Sequence, residues 1–569
     1  MRWLQVIAAL AAGAAFAQSD APAAAPAPAR VSVPADKSYT GQAFEYTRAL
    51  SAQNHRHAVY DIRYPSPVVS PHEANNTVPA ELYVPVGVAP DRSFPAVVCM
   101  HIIHDNFDLE RLLCTRLAQS GVIALFFKQP YYGERGGTVG KAMLATGSNI
   151  FMGGLEQGLE DARRAVDIVQ ALPEVNPAHI GITGISMGAI QSASVCGREP
   201  RIAKAFLTLG GCDIKKIILT AHETRRMRAF IQGLPQAEQD RVWACIDRLD
   251  PIQAKDALRR LGAKGNLRMV CAEQDEVVPP DCGRRLAEAA GFADRVTWLP
   301  GMGHYTAMAG FPQIMKDVVA FFGADVPASW QPPQGNGEKT PTELLGLFLS
   351  GLAAMAGGVP APGTAHMAGV DAQVVADGKT YRAAFESVRG GEGRFKLTGD
   401  FPAVGKAGLG QGDYPWLIGG GKLAFCGTLE GADGRTAAQL IAPQRLMKYR
   451  VAVGALAGAS LSPEALKEYY TLGETHGTNG ERRVEVKVNY RKTKGSLNLT
   501  FAKDATPLAA DWAFDGTSGT VRFTHWRLNA VADDSVFEAP AALPRKEVRQ
   551  EDVLRMFASV FEFAVEATE

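Results

Sequence analysis

The sequence has no apolar run of the roughly 20 residues that a membrane-spanning helix needs. Its stretches at 3–16 and 344–356 are apolar but too short. It carries no charge excess: 59 Lys and Arg stand against 59 Asp and Glu. No basic stripe interleaved with aromatics occurs, which argues against nucleic acid as a partner. No CxxC pair and no Cys/His set at ligand spacing occurs, so no zinc site is indicated. No motif implies a metal or an organic cofactor. The eight cysteines lie at 99, 114, 196, 212, 245, 271, 282 and 426. The first seven fall in one expected domain, and an odd number cannot all pair internally. Cys99, Cys212 and Cys271 sit in or beside apolar runs and read as small core residues.

What is present begins at the N-terminus. Arg2 is followed by the apolar run 3–16 and by Ala15-Phe16-Ala17, an A-x-A pattern before Gln18. Residues 1–17 read as a signal peptide, which implies a periplasmic or secreted location. No Cys follows it, so no lipid anchor is expected. Residues 18–34 are rich in Ala and Pro and read as an extended tether. A chain of 569 residues exceeds what one hydrophobic core serves, so two or three domains are expected. The Pro- and Gly-rich stretch 327–341 marks the boundary. The expectation is a catalytic domain at 35–328, a linker at 329–341 and a second domain at 342–569.

Gly184-Ile185-Ser186-Met187-Gly188 is a G-x-S-x-G pentapeptide between a β-prone run and a helix-compatible one. That is the setting of a nucleophile elbow, where a serine sits on a strained strand-to-helix turn. An ordinary turn would read the same in isolation. A nucleophilic serine needs a base, and the base needs an orienting acid. Asp275 follows the strand-like run 267–272, and His304 follows the strand-like run 295–299. Ser186, Asp275 and His304 thus occur in the order nucleophile, acid, base, each in a turn after an expected strand. Further strands are expected at 57–64, 80–84, 94–103, 122–128 and 203–209. Helices are expected at 109–119, 155–172, 283–290 and 313–322. Such alternation predicts an α/β fold, a mostly parallel sheet flanked by helices.

With these motifs in hand, residues of about 57–325 resemble the α/β-hydrolase superfamily, in its dienelactone-hydrolase-like branch. The matching stretches are Phe94 to His101, Gln129 to Arg135, the elbow, the Asp-x-x-Val-Pro segment at Asp275, and Gly303-His304-Tyr305. The resemblance implies an α/β-hydrolase fold and the triad roles Ser186, Asp275 and His304. The substrate expected is a small-molecule or lipid carboxylic ester. A prolyl-oligopeptidase-type peptidase would share fold and triad order, although no propeller repeat precedes residue 57. A non-catalytic carrier with a decayed hydrolase domain is the other alternative.

An oxyanion hole needs backbone N–H donors where negative charge develops. Met187, next after the nucleophile, is one candidate, and Ile102 in the loop after the strand at 94–103 is the other. His101 and His104 either line the pocket or hold that loop in shape. Tyr131 and Tyr132 are candidates to donate to a substrate oxygen, whereas Glu134 and Arg135 read as a structural ion pair. The insertion at 213–265 reads as helical and suited to cap the site. Its Arg225, Arg226 and Arg228 either hold an acidic substrate or form a solvated helix face.

Beyond residue 341 the pattern becomes antiparallel β, with expected strands at 379–388, 394–398, 422–429, 483–490, 496–502 and 519–528. The stretch 519–529 with Asp533 to Phe537 loosely resembles periplasmic lipoprotein-sorting carrier proteins. That resemblance implies a half-open β-barrel with an apolar concave face for an acyl ligand. A helix expected at 547–565 would pack on that face or cap its end. No triad or metal cluster occurs in this domain, so its expected role is binding or positioning.

Overall fold

The structure, a computed structural model, describes residues 28–103, 107–136, 147–305, 307, 311–333, 339–357, 360, 363–376, 378–391, 394–401, 405–428, 470–477, 480–490, 493–514 and 516–556. The expected signal peptide, 1–17, lies outside them. The chain divides into two units, one of Gln18–Gly337 and one that holds Glu338–Glu569. Among the described residues no helix is long and apolar enough to cross a membrane.

The first unit is built on ten strands: β1 (Ala29–Val33), β2 (Phe44–Gln53), β3 (His57–Pro65), β4 (Thr77–Pro85), β5 (Phe94–Met100), β6 (Ile123–Phe127), β7 (Val175–Ile185), β8 (Lys204–Thr208), β9 (Leu267–Ala272) and β10 (Val296–Leu299). Their order in the sheet is β1-β2-β3-β4-β6-β5-β7-β8-β9-β10. The sheet is antiparallel from β1 to β4 and where β4 meets β6. From β6 through β5 to β10 it is parallel. The residue types explain the difference. β5 and β6 are buried at every position, as strands covered by helices on both faces must be. In β2, Phe44 and Tyr46 point inward while Glu45 faces solvent, the period-two pattern of a sheet with one wet face.

Helices α1 (Asp108–Gln119), α2 (Ser148–Ala171) and α3 (Met187–Arg198) flank the sheet. Between β8 and β9 lie α4 (Ile214–Thr220), α5 (Arg225–Gln232), α6 (Gln236–Leu249) and α7 (Lys255–Ala263). Helices α8 (Pro280–Ala289) and α9 (Phe311–Gly323) complete the unit. This is the α/β architecture, a sheet with a parallel half flanked by helices, expected from the alternating pattern. One departure concerns the expected tether. Within 18–34, Ala29–Val33 forms β1 and pairs with β2. The alternation Val31-Ser32-Val33 carries that strand, with Val33 fully buried, beneath a local Ala/Pro bias that masks it.

Among the described residues, the second unit is a sheet of twelve strands preceded by α10 (Pro341–Gly357). The strands are β11 (Thr364–Ala376), β12 (Lys379–Arg389), β13 (Phe395–Phe401), β14 (Gly405–Gln411), β15 (Pro415–Gly419), β16 (Leu423–Thr428), β17 (Tyr470–His476), β18 (Arg482–Tyr490), β19 (Thr493–Phe501), β20 (Pro507–Phe514), β21 (Thr517–Val531) and β22 (Arg545–Arg549). They run β17-β18-β19-β20-β21-β11-β12-β13-β14-β15-β16-β22. All neighbours are antiparallel except β16 and β22. A capping box starts α10: the Glu343 N–H donates to Thr340 Oγ1 at 3.2 Å, and the Thr340 N–H donates to Glu343 Oε2 at 2.8 Å. Leu344, Leu345, Phe348 and Leu349 of α10 then bury against Val484, Val486, Leu499, Phe501 and Trp512 of the sheet.

Two expectations change here. The helix expected at 547–565 begins only at residue 550. Residues Arg545–Arg549 form β22 on the exposed edge of β16, because an unpaired edge offers backbone partners that local helix preference cannot match. Residues from 557 onward lie outside the described set. Part of the apolar sheet face expected to shelter an acyl chain is packed by α10, which buries against β18, β19 and β20.

Candidate functional site

Ser186 sits between β7 and α3 with φ 54° and ψ −119°, a region that non-glycine residues rarely adopt. The surroundings impose it. The Ser186 N–H donates to Thr208 O at 2.8 Å. A Cβ on Gly188 would stand 2.2 Å from Met100 O, and one on Gly184 would stand 2.4 Å from Gly188 C. Only glycine at both positions lets the turn press onto the end of β5 and lift the serine out.

His304 and Asp275 meet Ser186 from the loops after β10 and β9. His304 Nε2 lies 2.9 Å from Ser186 Oγ. His304 Nδ1 lies 2.8 Å from Asp275 Oδ2 and 3.0 Å from Oδ1. With the Nδ1 proton donated to the carboxylate, Nε2 is left as the acceptor facing the serine hydroxyl. Asp275 Oδ1 also accepts the N–H groups of Val277 and Val278, at 2.9 and 2.7 Å, which fixes the carboxylate. Neighbouring acids do other work. Glu276 accepts the His304 N–H at 2.8 Å and Glu273 the Gly301 N–H at 3.2 Å, so both shape the histidine loop. Asp281 pairs with Lys216.

Of the two oxyanion candidates, Met187 opens α3, where a backbone N–H has no intrahelical acceptor. Ile102 differs from expectation. Its N–H donates to Glu110 Oε1 at 3.0 Å and is thereby already engaged. Glu110, on α1, is almost wholly buried, and burial pushes its carboxyl up to about 7, against the Ile102 N–H that favours the charged form. The sequence reading missed this residue, which looks like any acid in a helical first turn.

The pocket candidates also divide. His101 is fully buried, and burial lowers its pKa to about 4. Its Nε2 accepts the Gln129 N–H at 3.0 Å, so its Nδ1 donates to Ile102 O at 2.6 Å. It holds the loop rather than lining a pocket. Tyr131 is buried with its hydroxyl 3.2 Å from His72 Nδ1. Tyr132 packs on the turn that carries Ser186, its hydroxyl donating to Met187 Sδ at 3.7 Å. His104 lies outside the described residues. Glu134 and Arg135 do not pair with each other: Glu134 meets Lys128, and Arg135 Nη1 meets Asp161 Oδ2 at 2.7 Å, both of the latter fully buried.

A cavity of about 130 Å³ opens beside Ser186. Its walls come from α3 (Met187, Ile190, Ser194), from Ile103, and from the insertion through Ile214, Ile217, Ile218, Met227, Ile246 and Leu249. The insertion therefore covers the serine with an apolar surface. The signal for this was present in the helical spacing of Ile214, Ile217 and Ile218. Arg225 and Arg226 are exposed, and Arg228 donates to the carbonyls of Ile218, Leu219 and Ala221 at 3.1, 2.8 and 3.2 Å. That is a solvated face plus a helix C-cap.

No protein-family model matches this chain, and no curated protein matches it. Among solved structures it is similar to an acetyl xylan esterase from Paenibacillus sp. R4, at 18% identity and TM-score 0.40 over 51% of this chain and 92% of that one. It is similar to acetyl xylan esterase 1 from Thermoanaerobacterium sp. JW/SL YS485, at 17% and 0.38 over 52% and 91%. A 2,6-dihydroxy-pseudo-oxynicotine hydrolase follows at 15% and 0.34 over 47% and 69%. At such identities and scores, the chemistry of this chain rests on its own site.

Proposed function

We propose that this chain is an exported serine hydrolase that cleaves a carboxylic ester through an acyl-enzyme. The observation that carries the reading is the continuous hydrogen-bonded line from Asp275 through His304 to Ser186, at 2.8 and 2.9 Å. Ser186 Oγ attacks the ester carbonyl as His304 Nε2 takes its proton. Asp275 keeps the imidazole in the required tautomer and stabilises the imidazolium. The Met187 N–H receives the oxyanion. Ile103, whose side chain lines the cavity beside Ser186, supplies the next backbone donor in place of Ile102. His304 then protonates the departing alcohol, and water, activated by the same imidazole, releases the acid. Export rests on the leader-like residues 1–17. The second unit is assigned a positioning role.

The test is fluorophosphonate labelling together with p-nitrophenyl ester turnover. The wild type should label and turn over. Ser186→Ala should do neither, with a loss on the order of 10⁶ in kcat. Turnover that survives in Ser186→Ala would end the reading.

A further inference from the structure

The cavity beside Ser186 runs along the nucleophile's own helix, from Met187 past Ile190 to Ser194. Leu159, Ile246 and Leu249 also line it. Two hydroxyls in the wall are already engaged. Ser194 Oγ donates to Leu249 O at 2.7 Å, and Thr224 Oγ1 donates to Ile218 O at 3.0 Å. The carboxylate in the lining, Glu223, accepts the Tyr305 hydroxyl. Ser186 borders the cavity, but His304 is not among its lining residues. This asymmetry orients an ester. His304 must protonate the departing alcohol, so the alcohol leaves on the imidazole side. The group that stays on Ser186 then points the other way, into the cavity.

Resting on the hydrolase reading above, we propose that this cavity is an acyl-binding site that selects a neutral aliphatic acyl group. Its size sets the length. An apolar cavity of about 150 Å³ holds a six-carbon ring, so 130 Å³ accommodates about four to six carbons. Acetyl leaves most of the apolar wall unfilled. Long chains exceed this volume and meet Ile246 and Leu249 in the wall. A carboxylated acyl group meets the apolar wall and the negative charge of Glu223.

The test uses the full chain and p-nitrophenyl esters from acetate to dodecanoate, with kcat/KM measured for each. The expected profile rises about fourfold per added methylene up to the optimum and falls beyond hexanoate. Ile246→Ala should move the optimum to longer chains. Ile246→Phe should lower the hexanoate-to-acetate ratio by tenfold or more. If the Phe variant does not fold, the Ala variant decides the matter by itself. A flat profile, an optimum at acetate, or an optimum that Ile246→Ala leaves in place overturns the acyl-site proposal while fluorophosphonate labelling of Ser186 still stands. Absence of both labelling and turnover overturns the hydrolase reading and this proposal with it.

Discussion

Replacing Arg135 by Met should destabilise the first unit severely, for reasons that can be worked through group by group. The guanidinium is fully buried. It donates to Asp161 Oδ2 at 2.7 Å, to Lys128 O at 2.9 Å, and to Asn75 O at 3.1 and 2.6 Å. Asp161 is equally buried, and its other oxygen accepts the Ser66 hydroxyl at 2.6 Å. Two charge centres about 4 Å apart attract by roughly 4 kcal/mol at an effective dielectric near 20. Removing the cation leaves a carboxylate and two carbonyls short of partners. Breaking a buried pair this way costs about 3–5 kcal/mol. In a unit this large that lowers the melting temperature by roughly 5–8 °C.

The pH dependence has a definite sign. Burial already raises the Asp161 pKa, and Arg135 is the largest influence holding it down. Without Arg135 it rises further. The folded variant then holds a proton that the unfolded chain has released, so its stability falls as pH rises. The deficit against wild type should therefore be larger at neutral pH than near pH 4–5, the lower edge set by an unfolded Asp at about 3.9. In Arg135→Met with Asp161→Asn, neither charge of the pair remains, and most of the loss should return. Urea unfolding followed by tryptophan fluorescence at several pH values would measure all of this. A single variant that loses under about 1 kcal/mol, or a double variant less stable than Arg135→Met, refutes the reasoning.

Other outcomes follow from the site. Gly188→Ala drives a Cβ to within 2.2 Å of Met100 O, so steady-state kinetics should show an activity loss on the order of 10² from the displaced nucleophile. Asp275→Asn should lose about 10⁴ in kcat by favouring the wrong tautomer, while Glu276→Gln should lose far less; the reverse ranking would reassign the acid. Glu110→Ala removes the acceptor that fixes the loop carrying Ile103 and should lower kcat about 10²-fold with KM little changed, and Glu110→Gln, which keeps a carbonyl acceptor, should restore most of it. A chain ending at residue 337 should keep turnover on a small soluble ester, since the first unit ends there; an inactive or insoluble product would mean that the site needs the second unit.

Much of the first unit was legible because its signals are short-range. Buried parallel strands read as continuous apolar runs, and β5 and β6 do. An elbow announces itself through two glycines whose missing Cβ atoms have no substitute. The expected acid and base stand in turns directly after β9 and β10, where a parallel sheet delivers its chain ends to one edge. Less legible were β1, masked by Ala and Pro, and β22, whose residues resemble a helix start until the edge of β16 supplies partners. Ile102 was misjudged because the acceptor that claims its N–H, Glu110, comes from the next helix.

By itself, then, the sequence determined the alternating architecture, the strained serine turn and the spacing of Ser186, Asp275 and His304, since each depends on backbone preference and periodicity within a few residues. Only the tertiary structure decided that Glu110 claims the Ile102 N–H, and that Ile214, Ile217, Ile218, Ile246 and Leu249 line the cavity beside the serine. It also decided that Arg135 answers to Asp161 rather than to Glu134, and that α10 packs part of the apolar face of the second sheet. These depend on which faces of distant elements meet, and burial across that distance leaves no local trace in the order of residues.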